Sequence, residues 1–257
     1  MGQIVSIHSY RGGTGKSNLT ANLATCAALT GLRVGIVDTD IQSPGIHVLF
    51  GLEDKQITRA LNDYLYGQCQ IEETAYHMTP PEVEAAGGRI YLIPSSMKAG
   101  EIARVLRDGY DVNLLNDGFE RLLIELKLDF LFIDTHPGLN EETLLSIAIS
   151  DWAVLILRPD KQDFLGTAVT IEVARKLGVP NLILAINKAL PNTDLVALRQ
   201  DVEKTFNTDV GAALALTEDL LRLGSNGLFR LKFPNHPWSK EVERLANRII
   251  APDGGAS

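Results

Sequence analysis

The stretch Arg11-Gly12-Gly13-Thr14-Gly15-Lys16-Ser17 constrains this chain more than any other, because it stands between a short β-branched run and a helical one. Ile4-Val5-Ser6-Ile7 reads as a strand, and Leu19, Leu23 and Ala27 keep helical spacing up to a stop at Thr30-Gly31. A glycine loop between a strand and a helix N-terminus turns several backbone N–H groups, and the positive end of the helix macrodipole, toward one point. That geometry suits a polyphosphate. Lys16 is then expected to reach the β- and γ-phosphates, Ser17 to ligate Mg²⁺, and the backbone from Gly12 through Gly13, Thr14 and Gly15 to Asn18 to cradle the phosphates. The plainer alternative is an ordinary glycine turn. Gly-Lys-Ser at a strand-to-helix junction, followed by further parts of a nucleotide site, weighs against it.

With 257 residues, 45% of them hydrophobic and 22% charged, the chain can bury a sizeable core and lacks the composition of a disordered one. A formal net charge of -8 argues against a uniformly basic nucleic-acid binder, so any phosphate-binding face has to be local. Cys26 and Cys69 have no paired spacing and suit a reducing compartment. No secretory leader and no bilayer-spanning apolar run is read, so a cytoplasmic location is expected.

Apolar strands alternate with helices along the rest of the chain. Strands are expected at 33–38, 91–94, 130–134, 152–157, 182–186 and 210–216, and helices at about 111–126, 140–149, 164–177, 193–206 and from Ser239. Near-continuous apolar strands separated by helices mean an α/β fold with a mostly parallel, twisted sheet covered by helices on both faces. One domain over residues 1–250 and a frayed tail over 251–257 are expected. Leu52 to Gly88 is polar, aromatic and proline-bearing, an inserted helical or loop region that is either a surface crossover or a partner-binding surface.

The loop departs from the standard phosphate-binding pattern, since Tyr10 holds its first glycine position. What it matches is a deviant form, a basic residue followed by Gly-Gly-x-Gly-Lys-Ser/Thr. In this the chain resembles the MinD/ParA family of deviant Walker A P-loop ATPases, from Gln3 to about Arg248. The resemblance implies a SIMIBI-type P-loop NTPase fold, weak Mg²⁺-dependent hydrolysis of ATP, and a homodimer closed by ATP. In that family the residue before Gly-Gly is a signature lysine that reaches across the dimer to the partner's ATP. Here it is Arg11, which can still stabilise phosphoryl charge in trans but is bulkier and forked. Some relatives without the signature lysine, carboxysome-positioning ATPases among them, use a lysine elsewhere, so either Arg11 or Lys161 is the candidate trans cation here, with a plain surface role as the alternative for Lys161.

In open α/β sheets ligands sit beyond the carboxyl ends of the strands. Asp38-Thr39-Asp40 ends one strand, and two carboxylates beside a phosphate loop call for a cation or a polarised water, since like charges that close repel. The resemblance to the family's switch I implies Asp38 near Mg²⁺ and Asp40 orienting the attacking water. Asp134 ends the most apolar strand, the Walker B arrangement that holds Mg²⁺. The following Thr135-His136-Pro137-Gly138 resembles switch II, with a structural His136 where proline is common and Gly138 offering its N–H to the γ-phosphate. Asn187-Lys188 stands where the family reads adenine through an asparagine amide, with a strand-end turn as the equal alternative. No Asn-Lys-x-Asp motif is present, which favours ATP over GTP.

The resemblance implies a molecular switch that positions or partitions a cargo by binding DNA, a membrane or a protein. No basic amphipathic membrane helix is read at the C-terminus, which leaves nonspecific DNA or an unidentified activating or adaptor protein. Arg222, Arg230, Lys232, Lys240, Arg244 and Arg248 make the C-terminal quarter locally basic, either a DNA-binding face or a solvated helical one. Rival readings are a nucleotide-binding regulator with little turnover, a ligase, and a metallochaperone, the last opposed by the lack of Cys-x-x-Cys.

Overall fold

Strands that are apolar along their whole length need cover on both sides, and a parallel sheet between two helical layers provides it. The computed structural model describes residues 2–251. Its strands are β1 (Gln3–His8), β2 (Arg33–Asp38), β3 (Tyr76–His77), β4 (Arg89–Ile93), β5 (Phe130–Asp134), β6 (Trp152–Leu157), β7 (Asn181–Ala189) and β8 (Val210–Ala215). They form one sheet in the order β3-β4-β2-β5-β1-β6-β7-β8, parallel except for the β3–β4 pair. The helices are α1 (Lys16–Ala28), α2 (Ile46–Leu49), α3 (Leu61–Leu65), α4 (Pro81–Ala85), α5 (Ala99–Asp108) and α6 (Asn113–Glu125). They continue as α7 (Glu141–Ala148), α8 (Lys161–Lys176), α9 (Leu195–Phe206), α10 (Glu218–Leu223), α11 (Phe229–Lys232) and α12 (Pro237–Ile250). The expected single, mostly parallel α/β sheet is what forms.

The period-2 alternation of the strands sorts their side chains between the two layers. Val5 and Ile7 pack with Leu19 and Leu23 of α1 and Val242 and Leu245 of α12, whereas Ile4 packs on the other face with Leu115, Phe119 and Leu122 of α6. Leu155, Leu184 and Ile186 extend that second layer onto Ile171 of α8 and Val202 and Phe206 of α9. Each such side chain, fully buried, contributes about 1.5–3 kcal/mol. The central strands are thereby rigid, and their carboxyl ends make a firm platform.

Several boundaries differ from the sequence reading for local reasons. Helix α8 starts at Lys161, before the expected 164, because the Asp160 carboxylate caps it by accepting the N–H groups of Gln162 and Asp163, both at 3.0 Å. Helix α12 starts at Pro237, not Ser239, with His236 Nδ1 accepting the Trp238 N–H at 3.0 Å. Helix α5 was not expected, although Ile102, Val105 and Leu106 stand at helical spacing; Val105 is its one buried residue. The inserted region builds α3, α4 and the short β3, whose Tyr76 pairs with Leu92 at the sheet edge. Residues 252–257 of the expected tail lie outside the described residues.

Candidate functional site

The glycine loop leaves the carboxyl end of β1 at the middle of the sheet. Gly13 and Gly15 take φ of +74° and +90°, the left-handed region that side chains disfavour. Gly15 ends the loop as the α1 cap and offers no side chain to the first-turn N–H groups, which stay available to an anion. The loop is gripped from the end of β7. Asn187 Nδ2 donates to the Thr14 carbonyl at 2.8 Å, and Lys188 Nζ donates to the Gly13 carbonyl at 2.7 Å. Asn187 Oδ1 in turn accepts the Lys188 N–H at 2.9 Å, and Lys188 itself has a left-handed φ of +58°. A Cβ on Gly15 would stand 2.6 Å from Asn187 Nδ2, so only glycine fits beneath this grip. The amide expected to meet adenine is thus buried and committed to the loop. Sequence reasoning named Lys188 beside Asn187 at a strand end but gave it no role.

Strand register brings the acids together. β5 lies between β2 and β1, with Asp134 paired to Asp38 on one side and to Ile7 on the other. Lys16 Nζ donates to Asp134 Oδ1 at 2.8 Å, and both groups are buried. Asp134 Oδ2 is buried with no partner. Asp38 Oδ2 accepts the Gly45 N–H at 3.0 Å and Oδ1 the Asp40 N–H at 3.1 Å. Burial, and then the charge of Asp134, push the Asp38 carboxyl up to about 7. Two buried carboxylates side by side, one of them holding the Lys16 ammonium and keeping an orphan oxygen, form a hard oxygen donor set, and Ser17 follows Lys16 at the start of α1. These residues fit Mg²⁺.

A pH dependence follows with a definite sign. The raised folded-state value means that the fold prefers protonated Asp38, so this group leaves stability intact below its unfolded value. Stability is lost as pH rises from about 4 through about 7. Calorimetry of the magnesium-free chain is expected to show a Tm that declines across this window, and Mg²⁺ to flatten the decline by satisfying the carboxylate. A flat magnesium-free profile would refute the strained pair.

The two loops that follow these strands are tied to each other. Asp40 Oδ1 lies 2.6 Å from His136 Nδ1 and accepts the Ser43 N–H at 3.2 Å. Gly138, at φ +87°, donates its N–H to the Ser9 carbonyl at 3.3 Å. His8, unnoticed in the sequence, is buried at the last position of β1 with Nδ1 2.8 Å from Thr135 Oγ1. Because that hydroxyl donates to the Ile7 carbonyl at 3.0 Å, His8 Nδ1 must be the protonated nitrogen. Burial, and then the charge of Lys16, lower His8 to about 3, so it stays neutral. A histidine closing an apolar strand was the available sign.

Arg11 Nη1 lies 3.4 Å from Asp163 Oδ1 and 3.8 Å from Asp160 Oδ1 at the start of α8. Lys161 is exposed and makes no ion pair among the described residues. The basic residues of the C-terminal quarter are largely compensated in place. Arg222 pairs with Glu218, Arg230 and Lys240 with Glu243, Arg244 with Glu241 and Arg248 with Asp209, which leaves Lys232 as the exception among the described residues.

A lysine-bearing glycine loop set against paired strand-tip carboxylates on a central parallel strand places the chain among P-loop nucleotide-binding proteins. The family profile described as NUBPL iron-transfer P-loop NTPase matches residues 1–250, and the chain belongs to this ParA family of P-loop NTPases. An uncharacterised ATP-binding protein of Methanocaldococcus jannaschii is 24% identical over 96% of this chain and 87% of its own length. The iron-sulfur cluster carrier protein of Pyrococcus furiosus is 27% identical over 71% of this chain, which spans 60% of that protein. The septum site-determining protein MinD of Pyrococcus horikoshii, solved with Mg-ADP, superposes with a TM-score of 0.79 at 21% identity, covering 99% of this chain and 98% of its own. That likeness is one of fold.

Proposed function

We propose that this chain is a Mg-ATP-dependent switch that closes into a homodimer with ATP, hydrolyses it slowly and positions or partitions a cargo. The buried Lys16–Asp134 pair under the glycine loop, with Asp38 alongside and one carboxylate oxygen orphaned, carries this reading. Ser17, Asp38 and Asp134 would hold Mg²⁺, which when bound neutralises charge on the phosphates. Lys16 turns its ammonium from Asp134 to the β- and γ-phosphates, while the N–H groups of Gly12, Gly13, Thr14, Gly15, Lys16, Ser17 and Asn18 hold the phosphate oxygens. Asp40 orients and polarises the attacking water. Gly138 exchanges its bond to Ser9 for one to the γ-phosphate, and Asn187 keeps the loop in shape beside the base. Arg11 and Lys161 are the two candidates for a cation that acts on phosphoryl charge.

A protein cargo is favoured over DNA, because most of the C-terminal basic residues already have acidic partners. Carriage of an iron–sulfur cluster, named for some relatives, needs thiolates shared between subunits. Cys26 is buried in α1, where burial pushes its thiol up to about 12, and Cys69 sits apart on the inserted region. No described helix is long and apolar enough to cross a membrane. Light scattering after size separation tests the switch on an Asp40→Ala chain, blocked in hydrolysis. The mass is expected to double with Mg-ATP and not with Mg-ADP; an Mg-ATP-bound chain that stays monomeric would overturn it.

A further inference from the structure

Tyr10, where the standard loop has its first glycine, and Arg11, where the family has its signature lysine, both turn to the same helix of their own chain. The Tyr10 ring lies on α8 at Gly166, where a Cβ would stand 2.1 Å from Cδ1 and 2.3 Å from Cγ. Gly166 is buried in the middle of that helix, an interior position where glycine is otherwise disfavoured, so the ring has a seat made for it. Arg11 continues the contact toward the helix start, with Nη1 3.4 Å from Asp163 Oδ1 and 3.8 Å from Asp160 Oδ1.

These carboxylates are themselves held. Asp160 caps α8, and Asp163 is buried and accepts both the Arg158 N–H at 3.0 Å and Arg158 Nε at 2.9 Å. Both carboxylates are met by the one nitrogen Nη1 of Arg11, so the contact is one of charge at the helix start. A side chain reaching into a second molecule would have to leave both acids and swing off the face that Tyr10 anchors.

We infer that Tyr10 and Arg11 brace the phosphate loop on α8 of the same subunit, so that residue 11 is a positioning residue of its own nucleotide site and not a cation lent across a dimer. The inference rests on the nucleotide site proposed above. Its physical effect is preorganisation: an arm of the loop that is already fixed loses less freedom when phosphate binds.

Calorimetry of Mg-ADP binding to the monomeric chain separates the two roles, because no partner subunit and no γ-phosphate are present. Arg11→Ala is expected to raise the Kd about fivefold, and Arg11→Lys by less. Gly166→Val, which dislodges the Tyr10 ring, is expected to raise it by at least as much. In ATP turnover these variants should raise KM more than they lower kcat. An Arg11→Ala chain whose Mg-ADP affinity stays within about twofold of wild type, with the loss confined to kcat, overturns the brace and points to action in trans. Should Gly166→Val fail to fold, the Arg11 variants decide alone, since that side chain is partly exposed. A wild-type chain that binds no Mg-ADP would sink the nucleotide site itself, and the brace with it.

Discussion

A Lys16→Ala chain is expected to lose Mg-ATP affinity by about a hundredfold or more, read by calorimetry, because a buried ammonium bonded to phosphate is a charge-assisted contact with no substitute nearby. A second effect is expected in the nucleotide-free fold. Lys16 is the cation on Asp134 at 2.8 Å, and without it Asp134 and Asp38 stand side by side in a buried site. Breaking a buried pair from one side costs about 3–5 kcal/mol. A proton taken up by one carboxylate relieves part of that, so the loss should be smaller in mild acid and grow as pH rises. Retained Mg-ATP affinity would sink the assignment of the loop; lost affinity with unchanged stability would sink the neutralising role of Lys16.

Asp40→Ala is expected to lower single-turnover phosphate release by about a hundredfold or more, with Mg-ATP affinity within about twofold of wild type. The split follows from where Asp40 points. Its Oδ1 is engaged with His136 and the Ser43 N–H, whereas Asp134 holds the Lys16 ammonium with Asp38 beside it in register, so its removal takes no donor from the cation site. His136→Ala is the control: it frees Asp40 without deleting it and should lower turnover far less. Wild-type turnover by Asp40→Ala would remove this carboxylate from the chemistry.

Much of this molecule could be read along the chain, because the decisive signals are local. The strands at 33–38, 130–134 and 152–157 stand where their apolar runs place them, and the glycine loop lies between β1 and α1 as expected. The expected sites of Asp38 and Asp134 at strand tips are also those found, which the alternation of strand and helix made legible. Helix α5 escaped although Ile102, Val105 and Leu106 keep helical spacing, since a run that buries one residue among many charged ones reads as polar surface. The basic residues near the C-terminus carried two readings along the chain, a DNA-binding face or a solvated one. Their acidic partners include Asp209, far from Arg248 in sequence, which spacing alone does not reveal.

What the sequence determined by itself is the kind of site: glycines that tolerate positive φ, a lysine at a helix start, and acids at the ends of apolar runs. These depend on backbone freedom and side-chain chemistry over a few neighbouring residues. Only the tertiary structure decided which charges meet. The insertion of β5 between β1 and β2 sets Asp134 against Lys16 and Asp38, and the crossover to β7 brings Lys188 onto the Gly13 carbonyl. Electrostatic energy depends on separation in space and on burial, and neither is carried by distance along the chain.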